Sequence, residues 1–344
     1  MDRKVQEIQY RKNQIRNLKT TQEKERKDLT QDLAKAQVLL EEDKAAYDRH
    51  NGARDAFLTQ AIDMYARCLE ASDSFDDDGP IRLCSLWFAN FDNTGLQDKV
   101  QIALNRVQSR KFVFLAHQLS ARLSNSQTQQ LAKNQENLQR LMVRMCDEHP
   151  FHSLYQVYCL LPGRSSAATN MRRQSSHVSL ASQSERGAAA SDIFDKLRGD
   201  PTKGQRVRDL ERLCDAYLQW AQHPIKESHK KKKGPFRIPD NLLIRKIRDL
   251  RVPISTMQTP LDQTLRYDNC VWIQSYDALF DTAGGVNLPK INICHGSDGE
   301  QYKQLVRFFF LRRLFVSRDV VLSSKGRVTM TSDRMQSWSK CLNS

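Results

Sequence analysis

Apolar residues recur three, four and seven positions apart along most of the first 222 residues, and this spacing predicts a series of amphipathic helices. The first, residues 2 to about 48, is rich in charged residues and has only a thin apolar seam. Shorter helices follow, joined by short polar turns, and such a series predicts an α-solenoid of stacked helical pairs, although no strict repeat period is visible. The predicted buried faces are Phe57, Ala61, Met64, Tyr65 and Cys68; Leu83, Cys84, Trp87 and Phe88; Leu96, Val100, Ala103, Leu104 and Val107; Phe112, Leu115, Leu119 and Leu123; and Leu131, Leu138, Leu141 and Met145.

Two stretches interrupt this pattern. Residues 164–190 are rich in Ser, Ala and Arg and contain few large apolar residues, which predicts a disordered insert. The helical pattern resumes near 191 and again over 204–222, where one apolar face is formed by Val207, Leu210, Leu213, Cys214, Tyr217 and Leu218. Residues 223–235 form a basic linker that contains four consecutive lysines and ends at Gly234-Pro235.

After Pro235 the hydrophobic period changes from that of helices to that of strands. Short β-type runs cover residues 252–259, 270–276, 290–296 and 300–306, and Asp298-Gly299 between the last two predicts a hairpin turn. Gly284-Gly285 lies between the second and third runs. Paired glycines there fit either a tight turn or a loop whose bare N–H groups cover a nucleotide's phosphates, and spacing alone favours the turn because no P-loop or GxGxxG motif is present.

Composition narrows the class of protein. The 344 residues carry a net charge of +14, from 54 Lys and Arg against 40 Asp and Glu, and 39% are hydrophobic. This excludes collagen, a disulfide mini-scaffold and a wholly disordered chain, and no apolar run reaches the roughly 20 residues of a membrane span. The eight cysteines form no CxxC or zinc-type spacing, as expected for reduced thiols in a cytosolic or nuclear protein. Direct nucleic-acid binding is not expected, because the basic residues are spread among acids.

Single residues with reactive side chains are more simply interpreted as structural. Cys294-His295 lies in a strand pattern without a third ligand nearby, so we expect ordinary sheet residues. Tyr276 and Asp277, on the strand before the glycines, are expected to pack or to face solvent.

Several segments taken together resemble a known family. IQSYDALFDTAGGVNLPKI (273–291), GSDG (296–299) and QLV (304–306) resemble the start of the catalytic domain of phosphatidylinositol-kinase-related protein kinases, and AGGVNLPK is most similar to the ataxia-telangiectasia-mutated (ATM) branch. Upstream, the resemblance is to the C-terminal part of that family's FAT helical solenoid, through IRLCSLWF (81–88), RKFVFLAHQLSAR (110–122), HPFHSLY (149–155) and LCDAYL (213–218). The segments occur in order and span most of residues 60–306.

The resemblance implies a mainly α fold with two parts. A FAT-type solenoid over residues 1–222 would be followed, after the 223–235 linker, by a small incomplete β-rich kinase N-lobe of the PI3/PI4-kinase-like type over 236–306. A loop over the ATP phosphates is implied for Ala283, Gly284, Gly285, Val286, Asn287, Leu288 and Pro289.

The resemblance also implies an activity and a setting. The implied protein is a nuclear serine/threonine kinase of DNA-damage signalling and telomere maintenance that uses ATP with Mg or Mn. Its partners would be protein substrates, DNA-damage sensor proteins and a second copy bound through the FAT region. No catalytic or metal-binding residue of this chain is assigned.

The chain departs from the family pattern after Val306. Where the family has a phosphate-gripping Lys, this chain has Arg307, which is bulkier and rigidly forked, and FFFLRRLF follows. We therefore expect residues 307–344 to be an aberrant, unstructured tail. We also expect the chain alone to be inactive and to bind neither ATP nor metal. The alternative interpretation is a non-catalytic helical scaffold for partner chains.

A shifted reading frame offers an explanation of the tail. Read two nucleotides along, synonymous codons for residues 326–343 can spell Lys-Gly-Asn-Asp-Asp-Leu-Arg-Gln-Asp, which resembles the missing family segment. Our hypothesis is that residues 307 to about 325 are a translated intron. We predict a splice-donor-like sequence at the codons of Val306 and Arg307 in the coding DNA, and a shifted frame that reads otherwise would contradict the hypothesis.

Overall fold

A computed structural model describes residues 2–18, 22–125, 129–162, 180–201, 203–225, 234–283, 289–308 and 314–316. The chain divides into two compact units, Met1–Arg106 and Val107–Ser344. The helices after residue 107 belong to one unit with the sheet, so this division does not follow the 223–235 linker. The predicted fold class is confirmed: helices come first, and a small antiparallel sheet follows.

The first unit contains α1 (Asp2–Asn17), α2 (Glu23–Ala71), α3 (Gly79–Ala89) and α4 (Thr94–Arg106). The predicted helix over 2–48 is therefore two helices, and the second continues to Ala71. Helix α2 contacts α1, α3 and α4. The indole Nε1 of Trp87 donates to Gln97 Oε1 at 3.2 Å, which gives the buried ring of α3 its polar partner from α4.

None of the five residues predicted for the buried face of α2 is buried. Phe57 and Met64 are 71% and 69% exposed, whereas Ile62, Ala66 and Leu69 are buried. Both sets have helical spacing, so periodicity alone could not choose between two faces about one residue apart. The faces predicted for α3 and α4 are buried, except that Phe88 is only half-buried.

The second unit begins with a 3-10 helix, Ser109–Leu115, and the short α5 (Ala116–Ser120). Its longer helices are α6 (Gln129–Glu148), α7 (Pro150–Tyr158), α8 (Leu180–Arg198) and α9 (Gly204–Gln222). The apolar face predicted for one helix over 111–123 is buried, but a 3-10 turn forms most of it, because both helix types bring residues three apart onto one side.

Part of the segment predicted to be a disordered insert is helical. Helix α8 begins at Leu180, so residues 180–190 are helical, and Ala189 and Ala190 are fully buried. Alanine has the highest helix propensity and packs closely, which explains why a segment poor in large apolar residues still folds. Residues 163–179 lie outside the described part of the chain, as do the lysines 230–233.

The sheet contains β1 (Phe236–Arg237), β2 (Arg248–Pro253), β3 (Trp272–Thr282), β4 (Lys290–Gly296), β5 (Gln301–Phe308) and β6 (Leu314–Val316). All described pairings are antiparallel, in the order β1-β3-β4-β5-β6, with β2 also on β3. The predicted strand over 252–259 is largely wrong, since β2 ends at Pro253. The predicted Asp298-Gly299 turn is confirmed, and Gly299 has φ +81°.

The region predicted to be an unstructured tail begins at residue 307, but strand structure continues into it. Arg307 and Phe308 belong to β5, and Leu314–Val316 pair with that strand. The rest of 307–344 lies outside the described residues.

A loop before β3 is anchored to α7. The buried Tyr267 has its hydroxyl 2.8 Å from Nδ1 of His149, and Nε2 of His152 lies 3.0 Å from the carbonyl of Thr259. These contacts connect the sheet to the helices of the same unit. Among the described helices, none is both long and apolar enough to cross a membrane.

Candidate functional site

The β3–β4 hairpin carries the predicted glycine-rich loop at its tip. Thr282 and Lys290 form the last strand pair, and the N–H of Ala283 donates to the carbonyl of Pro289 at 2.8 Å. The structure therefore brings together the first and last residues of the predicted site and closes the base of the loop. The five residues between them, 284–288, lie outside the described part of the chain, so their predicted role stays a prediction.

The two faces of this hairpin differ in burial. Lys290, Asn292 and Cys294 of β4 share a buried face with Gln304 and Val306 of β5, and α9 contacts this sheet. On the opposite face, the β4 residues Ile291, Ile293 and His295 are all half-buried. The polar side chains of β4 thus point to the interior, and its isoleucines point to the more open face.

Tyr217 of α9 is the centre of a buried polar cluster. Its hydroxyl lies 2.7 Å from the Tyr276 hydroxyl, donates to Gln304 Oε1 at 2.8 Å and lies 3.2 Å from Ser255 Oγ. Burial raises the pKa values of both Tyr217 and Tyr276, so both remain neutral hydroxyls. One helix residue therefore supplies polar partners to β3 and β5 at once.

Lys290 binds the C-terminal end of the same helix. Its ammonium donates to the main-chain carbonyls of Trp220, Ala221 and His223 at 2.5, 3.1 and 2.5 Å. It also lies 4.6 Å from the centre of the Trp220 ring. Carbonyls at a helix C-terminus lack intrahelical donors and carry partial negative charge, so a cation is favourable there. Burial lowers the pKa of Lys290 to about 8, which leaves the group mainly protonated at neutral pH.

Cys294 and His295 have structural environments, as the sequence predicted. Cys294 is buried, and burial raises the pKa of its thiol to about 12, which disfavours a nucleophilic thiolate. His295 Nε2 lies 2.7 Å from Asp277 Oδ1 across the β3–β4 pair. Within the described residues, no group of three or more His, Cys, Asp or Glu side chains is placed to hold a metal ion.

Comparison with known proteins shows that this chain is similar to protein kinases. Over 287 residues, 79% of this chain, the chain is 33% identical to the serine-protein kinase ATM of Sus scrofa. Over 255 residues it is 29% identical to the serine/threonine-protein kinase TEL1 of Cryptococcus neoformans. This chain is a relative of the ATM and Tel1 kinases. It spans only 9% and 8% of those two proteins, and no protein-family model matches it.

Solved structures of the Tel1 branch show the same fold. The solved FAT and kinase domain of CtTel1 matches 88% of this chain with a TM-score of 0.68 and 24% sequence identity. This chain in turn covers 20% of that CtTel1 chain. The open conformation of CtTel1 gives a TM-score of 0.69. The resemblance to the ATM and Tel1 family is thereby confirmed, and its named members are protein serine/threonine kinases.

Sequence reasoning missed the two residues that hold the hairpin on α9. Lys290 follows a proline at the start of a strand, where a lysine is usually assigned to solvent. Tyr217 was predicted only as one member of an apolar face. The available signal was the alternation in KINICH, where one face carries Lys, Asn and Cys and the other carries Ile. It was ambiguous because strand alternation does not say which face is inside.

We predict that Tyr217→Phe lowers the free energy of unfolding by about 1–3 kcal/mol, because it leaves buried polar groups of Tyr276 and Gln304 without their partner. Urea denaturation followed by fluorescence would measure it. The matched control is Tyr47→Phe at a 57% exposed position, where a change within about 0.5 kcal/mol is expected. Equal effects of the two substitutions would contradict the importance of the cluster.

Proposed function

We propose that this chain corresponds to a segment of an ATM-type protein serine/threonine kinase acting in DNA-damage signalling and telomere maintenance. The kinase would transfer the γ-phosphate of ATP to protein serine or threonine. The observation that supports this most is the closed base of the β3–β4 loop, Ala283 N–H to Pro289 carbonyl, in a chain 33% identical to ATM over 287 residues.

The described geometry fits a loop placed over phosphates. The strand pairing of Thr282 with Lys290 and the hydrogen bond at Ala283 hold the two ends of the loop together. Bare glycine N–H groups at the tip could then approach a phosphate closely, which a Cβ would hinder. The half-buried isoleucine face of β4 adjoins this loop and would cover the adenine. ATP with Mg or Mn is the cofactor proposed for the full-length kinase.

We further propose that the 344-residue chain alone transfers no phosphate and binds neither ATP nor metal. Phosphoryl transfer depends on a phosphate-gripping lysine, a catalytic-loop Asp and metal-binding Asp and Asn residues held in place together. Here Arg307 occupies the lysine position, and the sequence after it departs from the family. The guanidinium is a planar fork, unlike the compact ammonium that this position calls for.

The setting proposed for the full kinase follows its relatives. Localisation in the nucleus, protein substrates and DNA-damage sensor partners are proposed on the family resemblance. A homodimer formed through the FAT region is proposed as well. Its dimeric state is supported by solved neighbours, which include a complete CtTel1 dimer with C2 symmetry and a Tel1 kinase butterfly symmetric dimer.

The activity test uses the purified chain with labelled ATP, Mg²⁺ or Mn²⁺ and a protein substrate rich in serine and threonine. We expect no transfer above the rate without protein. If transfer is seen, Gly284→Pro distinguishes its source, because a change in the loop abolishes activity of this chain but leaves a co-purified kinase unaffected. Activity lost in Gly284→Pro would contradict the proposed inactivity.

A second candidate function is a non-catalytic helical scaffold. It is favoured by Phe57 and Met64, which lie seven residues apart on one side of α2 and are 71% and 69% exposed. Exposed large apolar side chains on one face are typical of interaction surfaces. Sedimentation velocity tests this surface: self-association that Phe57→Ser removes supports binding through this face of α2, and a monomer at all concentrations opposes it.

A further inference from the structure

Lys290 is buried, with only 4% of the residue exposed. Among the described residues, its ammonium forms no ion pair. Its partners are instead the carbonyls of Trp220, Ala221 and His223. An ammonium has three N–H donors, and here each has an acceptor on a single turn at the end of α9. Such an arrangement ties the orientation of the lysine to the presence of that helical turn.

The neighbouring strand contacts the same turn. The Phe280 ring of β3 lies edge-on to Trp220, with 4.8 Å between ring centres, and Phe280 pairs with Asn292 of β4. Both strands of the hairpin therefore contact the last turn of α9, one through an aromatic edge and the other through the ammonium.

The contact is one residue away from the base of the loop. Lys290 directly follows Pro289, whose carbonyl accepts the N–H of Ala283. The Pro289 carbonyl and the Lys290 Cα belong to one planar peptide unit, so little freedom separates the lysine from that hydrogen bond. A displacement of Lys290 would be passed to Pro289 and Ala283 rather than absorbed between them.

We propose that Lys290 is a positioning residue that couples the last turn of α9 to the base of the glycine-rich loop. Helix α9 thereby sets the place from which the loop extends. The coupling rests on contacts among described residues. Its consequence for phosphate binding rests on the proposed function.

A double-mutant cycle read by amide hydrogen exchange on the full chain tests this coupling without nucleotide. Gln222→Gly loosens the last turn of α9 at an exposed position, because glycine has a lower helix propensity. We expect about twofold faster exchange of the His223 amide in both the wild-type and the Lys290→Met backgrounds. The Ala283 amide should respond to Gln222→Gly in the wild type and not in Lys290→Met.

Two controls separate coupling from loss of stability. Lys303→Met removes an exposed lysine from β5 and should leave the response of Ala283 to Gln222→Gly intact. The Gly299 amide, which donates to Gly296 in the β4–β5 turn, reports opening elsewhere in the sheet and should not change. If Lys290→Met does not fold, Lys290→Gln replaces it, since an amide keeps two donors and should retain part of the coupling.

Two results would overturn the proposal. One is a response of Ala283 that is equal with and without Lys290. The other is a uniform acceleration that includes Gly299, which would make the effect global. ATP takes no part in this experiment. Failure of the activity predictions for the kinase would therefore leave the measured coupling unaffected, and failure of the double-mutant cycle would leave the proposed function standing.

Discussion

The contact between α9 and the buried face of the sheet is the interaction on which the second unit depends. That face is polar at Lys290, Asn292 and Gln304, and polar groups removed from water are costly unless they find partners. Helix α9 supplies partners for two of these residues: the Tyr217 hydroxyl donates to Gln304, and the terminal carbonyls of the helix accept from Lys290. These contacts are directional, so they fix where the sheet sits as well as how tightly it is held. A purely apolar interface would tolerate sliding by comparison.

This dependence changes how the chain divides. A boundary at the basic linker would separate the helices from the sheet and would leave a buried ammonium without acceptors. The compact unit instead contains α5 to α9 together with the strands. Helix α9 thus belongs structurally to the sheet, although by sequence pattern it belongs to the helical series. The same arrangement holds Lys290, which adjoins the base of the predicted glycine-rich loop, against the end of α9.

Much of this could be predicted from the sequence, because the signals were local. The Asp298-Gly299 turn, the strands β4 and β5, and the buried faces of α3, α4 and α9 all follow from period and turn chemistry. The predictions that were wrong needed tertiary information. Which side of α2 is buried depends on where α3 and α4 lie, and helix formation at Ala189 and Ala190 depends on packing.

The support of the loop was out of reach for a different reason. A lysine that follows a proline at the start of a strand is ordinarily solvated. Burial of Lys290 is favourable here because its ammonium meets the carbonyls of a helix C-terminus that lies 67 to 70 residues earlier in the sequence. Tyr217 likewise meets Gln304 across 87 residues. Residue type and spacing do not indicate such long-range pairings. The family resemblance, by contrast, predicted the position of the loop next to Lys290.

The measurement that tests the account most directly is native-state hydrogen exchange across a range of urea concentrations. If polar contacts bind α9 and the sheet into one cooperative unit, amides in the middle of α9 and in β4 should open with the same free energy and the same denaturant dependence. Opening of β4 at a distinctly lower free energy, with α9 still protected, would contradict it.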